Sequence, residues 1–354
     1  MKNGRSYTAV IAIVVALAAT DATAGLIGTV PGGEISYQAQ TRYVTADDPA
    51  NHEVPAGGFS GVAALTITRS DGTFLCSGAL LGSGRHVVTA AHCVTNGAGA
   101  LTATSVAAKF TLAGGDETVL SSAITVHPSW NGQFFVGNDI AIIELSAAAP
   151  AAAQRYDIYR GVADVGGIGD KVGFGASGTG ATGATLSAGI KRSGQNKYDN
   201  LADAFLTAIG QAGFVPDGQL LYDFDNGLAA NDGFGFFDPI LGAGLADLGL
   251  GANEVMSGGG DSGSPTFIDG LIAGIASYGF TLMFVGGGTS DVDGLLNSSF
   301  GEFGADTRLT IYQDFIDDIV GRVVAVPEPA AQILLGSALL MLGLMRRLMR
   351  QRNG

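Results

Sequence analysis

Cysteine is nearly missing from this chain: Cys76 and Cys93 are the only two among 354 residues. With no further cysteine, the pair does not complete a thiolate metal set. Charge is also scarce. Charged residues make up 14% of the chain, and 18 basic against 32 acidic residues leave a net charge of −14. A surface of that sign repels phosphate backbones, which argues against a nucleic-acid partner. No apolar run reaches the roughly 20 residues that a membrane-spanning helix requires. The 56 glycines follow no three-residue period, so collagen is excluded.

What remains fits an all-β chain, since turns and loops use the positive φ that glycine adopts freely. The two ends carry address signals. Met1-Lys2-Asn3-Gly4-Arg5 leads an apolar run from Ala9 to Ala19 that closes on Ala22-Thr23-Ala24. That order describes a secretory signal peptide over 1–24, removed by signal peptidase. At the other end, Val326-Pro327-Glu328-Pro329 precedes a 16-residue apolar stretch from Ala330 to Met345, then Arg346, Arg347, Arg350 and Arg352. This arrangement resembles the PEP-CTERM sorting tail. The resemblance implies a linker (322–329), a short transmembrane helix (330–345) and a basic tail (346–354). It also implies transient membrane association and processing by an exosortase-type enzyme; a permanent single-span anchor is the alternative. The protein is expected to be exported, to the cell surface, the extracellular matrix or the medium.

Outside the reducing cytosol, a disulfide is the simplest reading of Cys76 and Cys93, with two buried free thiols as the alternative. Between them, Val87-Val88-Thr89 is β-branched and reads as strand, and Ala90-Ala91 allow a tight turn that presents His92. Gly137-Asn138-Asp139 precedes a second apolar β-branched run, Ile140 to Leu145, so Asp139 can be buried and aimed. Gly258-Gly259-Gly260-Asp261-Ser262-Gly263-Ser264-Pro265 is a glycine-rich bend around a serine.

These three blocks, in the order His, Asp, Ser, resemble the trypsin-like serine proteases of chymotrypsin fold, over residues 59–321. The likeness implies two antiparallel six-stranded β-barrels with a short C-terminal helix. It implies a Cys76–Cys93 disulfide and a triad of His92 (base), Asp139 (orienting carboxylate) and Ser262 (nucleophile). The backbone amides of Gly260 and Ser262 would form the oxyanion hole. Met256 would floor the specificity pocket, with Ser277, Tyr278 and Gly279 as one wall, and a floor without a carboxylate implies apolar or small cleaved residues. No metal or organic cofactor is implied. The partner would be a protein or peptide substrate. The function expected is serine endopeptidase, with two rivals: an esterase on the same triad, and an idle surface or matrix binding protein on a protease scaffold.

Two departures stand out. Ser264 replaces a glycine usual in the family, and 123 residues separate Asp139 from Ser262, more than in compact digestive proteases. The Gly/Ala-rich stretch Gly175 to Gly189 reads as part of that insertion. Residues 25–58 could form a pro-region, and Arg42–Tyr43 is a candidate activation bond that would free an ammonium for Asp261. Asp223-Phe224-Asp225-Asn226-Gly227 and Asp291-Val292-Asp293-Gly294 lack the spacing and closing glutamate of an EF-hand loop, and turn chemistry accounts for both. His52, His86 and His127 lack a ligand pattern, and Trp130 reads as packing. Tyr312, Phe315, Ile316 and Ile319 share one helical face, with Asp314, Asp317 and Asp318 on the solvated side.

Overall fold

The computed structural model describes residues 26–321, apart from 31, 32, 40, 242, 243, 285 and 286. The expected signal peptide, Pro-Glu-Pro linker, apolar tail and basic tail lie outside the described residues. The expected transmembrane helix is corrected: among the described residues no helix is long and apolar enough to cross a membrane.

Three strands lead the chain, β1 (Leu26–Val30), β2 (Gly33–Ala39) and β3 (Thr41–Thr45). The first lobe follows, from β4 (Val62–Arg69), β5 (Gly72–Leu80), β6 (His86–Thr89), β7 (Ala103–Leu112), β8 (Gly115–Val126) and β9 (Ala141–Leu145). They close into an antiparallel barrel in the order β4-β5-β6-β9-β8-β7. The two-residue period of a pleated strand is plain in β7, where Val106, Ala108, Phe110 and Leu112 face the core and their neighbours do not. Burying a side chain the size of Phe110 contributes about 1.5–3 kcal/mol.

The second lobe uses β10 (Ile168–Gly173), β11 (Ala176–Thr179), β12 (Gly183–Leu186), β13 (Arg192–Lys197), β14 (Asn200–Leu201), β15 (Gln219–Asp223), β16 (Val255–Gly259), β17 (Pro265–Ile268), β18 (Leu271–Phe284) and β19 (Phe303–Arg308). The expectation of two closed barrels is corrected here: among the described residues only the first lobe closes. The main sheet runs β13-β10-β17-β18-β19-β15-β14, with β2 added to β18 and β1 to β2. A separate four-stranded sheet runs β12-β11-β3-β16. Thus the Gly175–Gly189 stretch is a hairpin seated on β3.

Closure fails at one seam, between β13 and β15. A side chain does there what a backbone ladder would do: the buried Asn196 amide donates to Asp223 O (2.7 Å) and Val255 O (3.0 Å). Strand β16, which leads to Ser262, pairs with β3 instead. Inside the lobe, Lys171 donates to Asp306 at 2.8 Å, and Tyr198 and Thr266 donate to the same oxygen.

Both lobes belong to one compact unit that ends at Ile319. The C-terminal helix Gln313–Val320 presents Ile316 to the core, as its spacing implies. Asp317, on the partly solvated side, forms a bidentate surface pair with Arg160 at 2.8 and 2.9 Å.

Candidate active site

His92 stands in the short 3-10 turn Ala91–Cys93 that ends β6. Its neighbour Cys93 is bonded to Cys76 of β5, so the disulfide pins this turn to the barrel wall. Asp139 enters just before β9. Both Gly137 (φ 90°) and Asn138 (φ 64°) have positive φ, which glycine adopts freely and asparagine tolerates better than most residues. That turn aims the carboxylate inward, and Asp139 is 1% exposed.

The three side chains form one hydrogen-bonded line. His92 Nδ1–H donates to Asp139 Oδ2 at 2.7 Å, and Ser262 Oγ–H donates to His92 Nε2 at 2.6 Å. The His92 amide donates to Asp139 Oδ1 at 2.8 Å, fixing the carboxylate plane. The Phe134 ring meets the imidazole edge-on, with centroids 5.1 Å apart. A buried carboxylate on Nδ1 holds the imidazole in the tautomer whose Nε2 can accept the serine proton.

The nucleophile bend depends on two glycines. Gly263 has φ 77°, and a Cβ there would lie 2.1 Å from Thr89 Oγ1 and 2.6 Å from Ala90 N. Gly260, at φ 102°, reverses the chain ahead of Asp261. Ser264 leaves the bend intact: its amide donates to Asp261 O (2.5 Å), and its carbonyl accepts from Ala276 N (2.9 Å). Asp261 is fully buried and accepts from the Gly175 amide at 2.8 Å. Burial pushes its carboxyl far above the usual range, opposed by that amide and by Lys171 and Arg192. The candidate activation bond, Arg42–Tyr43, lies in mid-strand, with β3 paired to β16 on one side and β11 on the other.

The expected pocket residues separate. Met256 is wholly buried and packs with Val44, Tyr198, Leu220 and Tyr222, so it sits in core. Tyr278 is also core: its hydroxyl donates to Gln219 at 2.6 Å and its ring packs on Phe134 and Phe135. Gly279 lies in β18 between Gly304 of β19 and Gln38 of β2. Ser277 has a different place. The register of β18 against β19 slips between Ala276 and Tyr278, so Ser277 is the extra residue of a bulge. A bulge re-aims its side chain, and Ser277 Oγ donates to Asp139 Oδ2 at 2.6 Å.

Three more supports carried no signal in the sequence. Ser77 donates from its amide to Ser262 O and from its hydroxyl to Gly260 O, both at 2.9 Å. Thr307 Oγ1 donates to Asp139 O at 3.0 Å. Tyr312, read only as packing, accepts the Asn138 amide at 2.9 Å. The other singled-out residues are structural: His52 bonds Asp47 and the Ser193 carbonyl, His86 bonds Ser83, and Trp130 donates to Thr95. His127 packs on Tyr312 and Phe315, and burial lowers its pKa.

Comparison with known proteins agrees with this arrangement. A family model described as Trypsin matches residues 49–196, a span that includes His92 and Asp139 and ends before Ser262. A solved structure of HL collagenase at 1.7 Å resolution aligns with a TM-score of 0.50 at 20% identity, over 76% of this chain and 97% of that one. At that identity the likeness speaks for the fold alone. No curated protein sequence matches the chain. The chain therefore carries a trypsin-like, chymotrypsin-fold domain of serine-hydrolase type, with His92, Asp139 and Ser262 as its candidate triad.

Proposed function

We propose that this protein is an exported serine endopeptidase. The observation that supports it is the unbroken line from Asp139 through His92 to Ser262 Oγ. Ser262 Oγ attacks the peptide carbonyl while His92 takes its proton. The amides of Gly260 and Ser262 hold the oxyanion. As the C–N bond breaks, His92 passes the proton to the leaving amine, and water then hydrolyses the acyl-enzyme by the same route. Export rests on the N-terminal signal, and sorting on the Pro-Glu-Pro tail.

The full chain is a covered precursor in this reading. β17 pairs with one edge of β18 up to Ile275, and from Tyr278 to Phe284 that same edge is taken by β2. A peptide that adds as a strand beside Ser262 needs this edge, and Ser262 is 1% exposed.

A fluorophosphonate probe tests the central claim. It should label the native protein and not Ser262→Ala, and a peptide-and-ester panel then separates endopeptidase from esterase. A protein that resists labelling even after its N-terminal strands are removed would sink the proposal. Sequencing both termini of protein recovered from culture checks export and tail removal.

A further inference from the structure

The longest stretch that catalysis leaves unused joins β15 to β16, and its acidic side chains converge. Asp223 is the last residue of β15. It, Asp225 and Asp232 each present a carboxylate oxygen within 4.8 Å of the other two. Their exposures are only 3%, 2% and 4%. Buried Glu254 lies beside them and accepts the Asp225 amide at 2.7 Å and the Leu250 amide at 2.5 Å. Asp199 and Asp247 flank the group and share one cation, Lys197.

Protein donors serve only part of this charge. Asp223 accepts from Phe234 N at 3.1 Å, and Asp232 from Gly235 N at 2.6 Å. Asp225 is different: its buried Oδ1 has no hydrogen-bond partner among the described residues. A buried, unpaired carboxylate oxygen is costly, and native structures rarely keep one without an ion or water to satisfy it. Turn chemistry does not account for such a group, because it leaves the orphan oxygen unserved.

We propose that Asp223, Asp225 and Asp232, with Glu254 beside them, bind a calcium-type divalent cation at the open seam of the second lobe. The donors are all carboxylate oxygens, the hard set suited to calcium or magnesium rather than to zinc. Magnesium keeps several of its waters and is held through one or two carboxylates, so a set of buried carboxylates this large suits calcium better. The place explains the use. Asn196 bridges Asp223 and Val255 across the same seam. A cation there ties the insertion to β15 and to the root of β16, the strand that runs to Gly259, just ahead of the nucleophile bend.

Calcium titration of chelator-treated Ser262→Ala full-length protein tests it, by calorimetry and by thermal melting. That background removes self-digestion and any dependence on activity. One saturable site is expected, with a dissociation constant of roughly 10⁻⁴–10⁻³ M or tighter, and a melting temperature that rises with calcium. In Asp225→Asn, calcium binding should weaken roughly tenfold or more, as a ligand charge is lost. Its metal-free melting temperature should equal or exceed that of the parent, because repulsion is relieved. Should that variant not fold, Asp232→Asn carries the same expectation. No binding up to about 10 mM calcium, beyond the weak end for extracellular modules, would overturn the proposal; so would equal affinity in parent and variants, or binding of zinc in place of calcium.

Discussion

Ser277 and Asp139 come from different lobes, and the 2.6 Å hydrogen bond between them makes the orienting carboxylate a joint property of both. Asp139 already accepts from the amide and ring of His92. Ser277 adds a third donor and leaves the carboxylate no freedom to rotate away. Removing a hydrogen bond to a charged group costs about 1.5–3 kcal/mol. Ser277→Ala should therefore lower kcat by roughly 10- to 100-fold, with KM nearly unchanged, while Ser277→Thr retains most activity. A KM effect without a kcat effect would mean that Ser277 contacts substrate and does not position Asp139.

Removing the N-terminal strands should activate. A chain that starts at Thr41, exported behind a foreign signal peptide, keeps β3 on β16 but frees the β18 edge from Tyr278 to Phe284. Its kcat/KM on peptides should rise several-fold, and that on a small chromogenic ester should barely move. Equal peptide rates in both chains would show that β2 blocks nothing.

Lys171 and Asp306 form a buried ion pair under β10 and β19, and the ammonium also lies 3.8 Å from the centre of the Tyr222 ring. Breaking such a pair from one side leaves a buried charge uncompensated, at about 3–5 kcal/mol. Lys171→Met should lower the urea midpoint accordingly, and Lys171→Met with Asp306→Asn should recover much of the loss. An unchanged midpoint in the single variant would refute the pairing.

Glu302 gives a pH signature. Its carboxylate accepts from the Asn297 and Ser299 amides, yet burial, then Asp291, raises its pKa from the usual 4.5 to about 8. Between those values the folded chain holds a proton that the unfolded chain has released, so this group's contribution falls as pH rises. Glu302→Gln should flatten that fall across the window from 4.5 to about 8. Urea melts of both proteins at several pH values decide it, and parallel curves would count against the assignment.

The triad was legible because each member sits in a local spelling with a mechanical reason. β-branched residues make a strand before His92, Gly137-Asn138 turn before Asp139, and glycines bend around Ser262. The supports were not legible, because they depend on register. Ser277 reaches Asp139 only through a one-residue slip between β18 and β19, and Tyr312 meets Asn138 only once the last helix docks. The second barrel was misjudged for a related reason. Strand patterns show which segments pair, but not that β16 leaves for β3, or that one asparagine side chain spans the gap. The convergence of the acidic groups was not legible either, because Asp232 joins Asp223 and Asp225 from beyond the local motif.

Ser77 carries a consequence for how such an enzyme can adapt. This one residue, adjacent to the disulfide, holds the carbonyls on both sides of Asp261 to the first lobe. The halves therefore cannot swing apart like a clamshell without dismantling the bend that bears the reactive oxygen. Accommodation of large or unusual substrates must come from remodelling peripheral loops, which leaves the hinge as rigid as the chemistry requires.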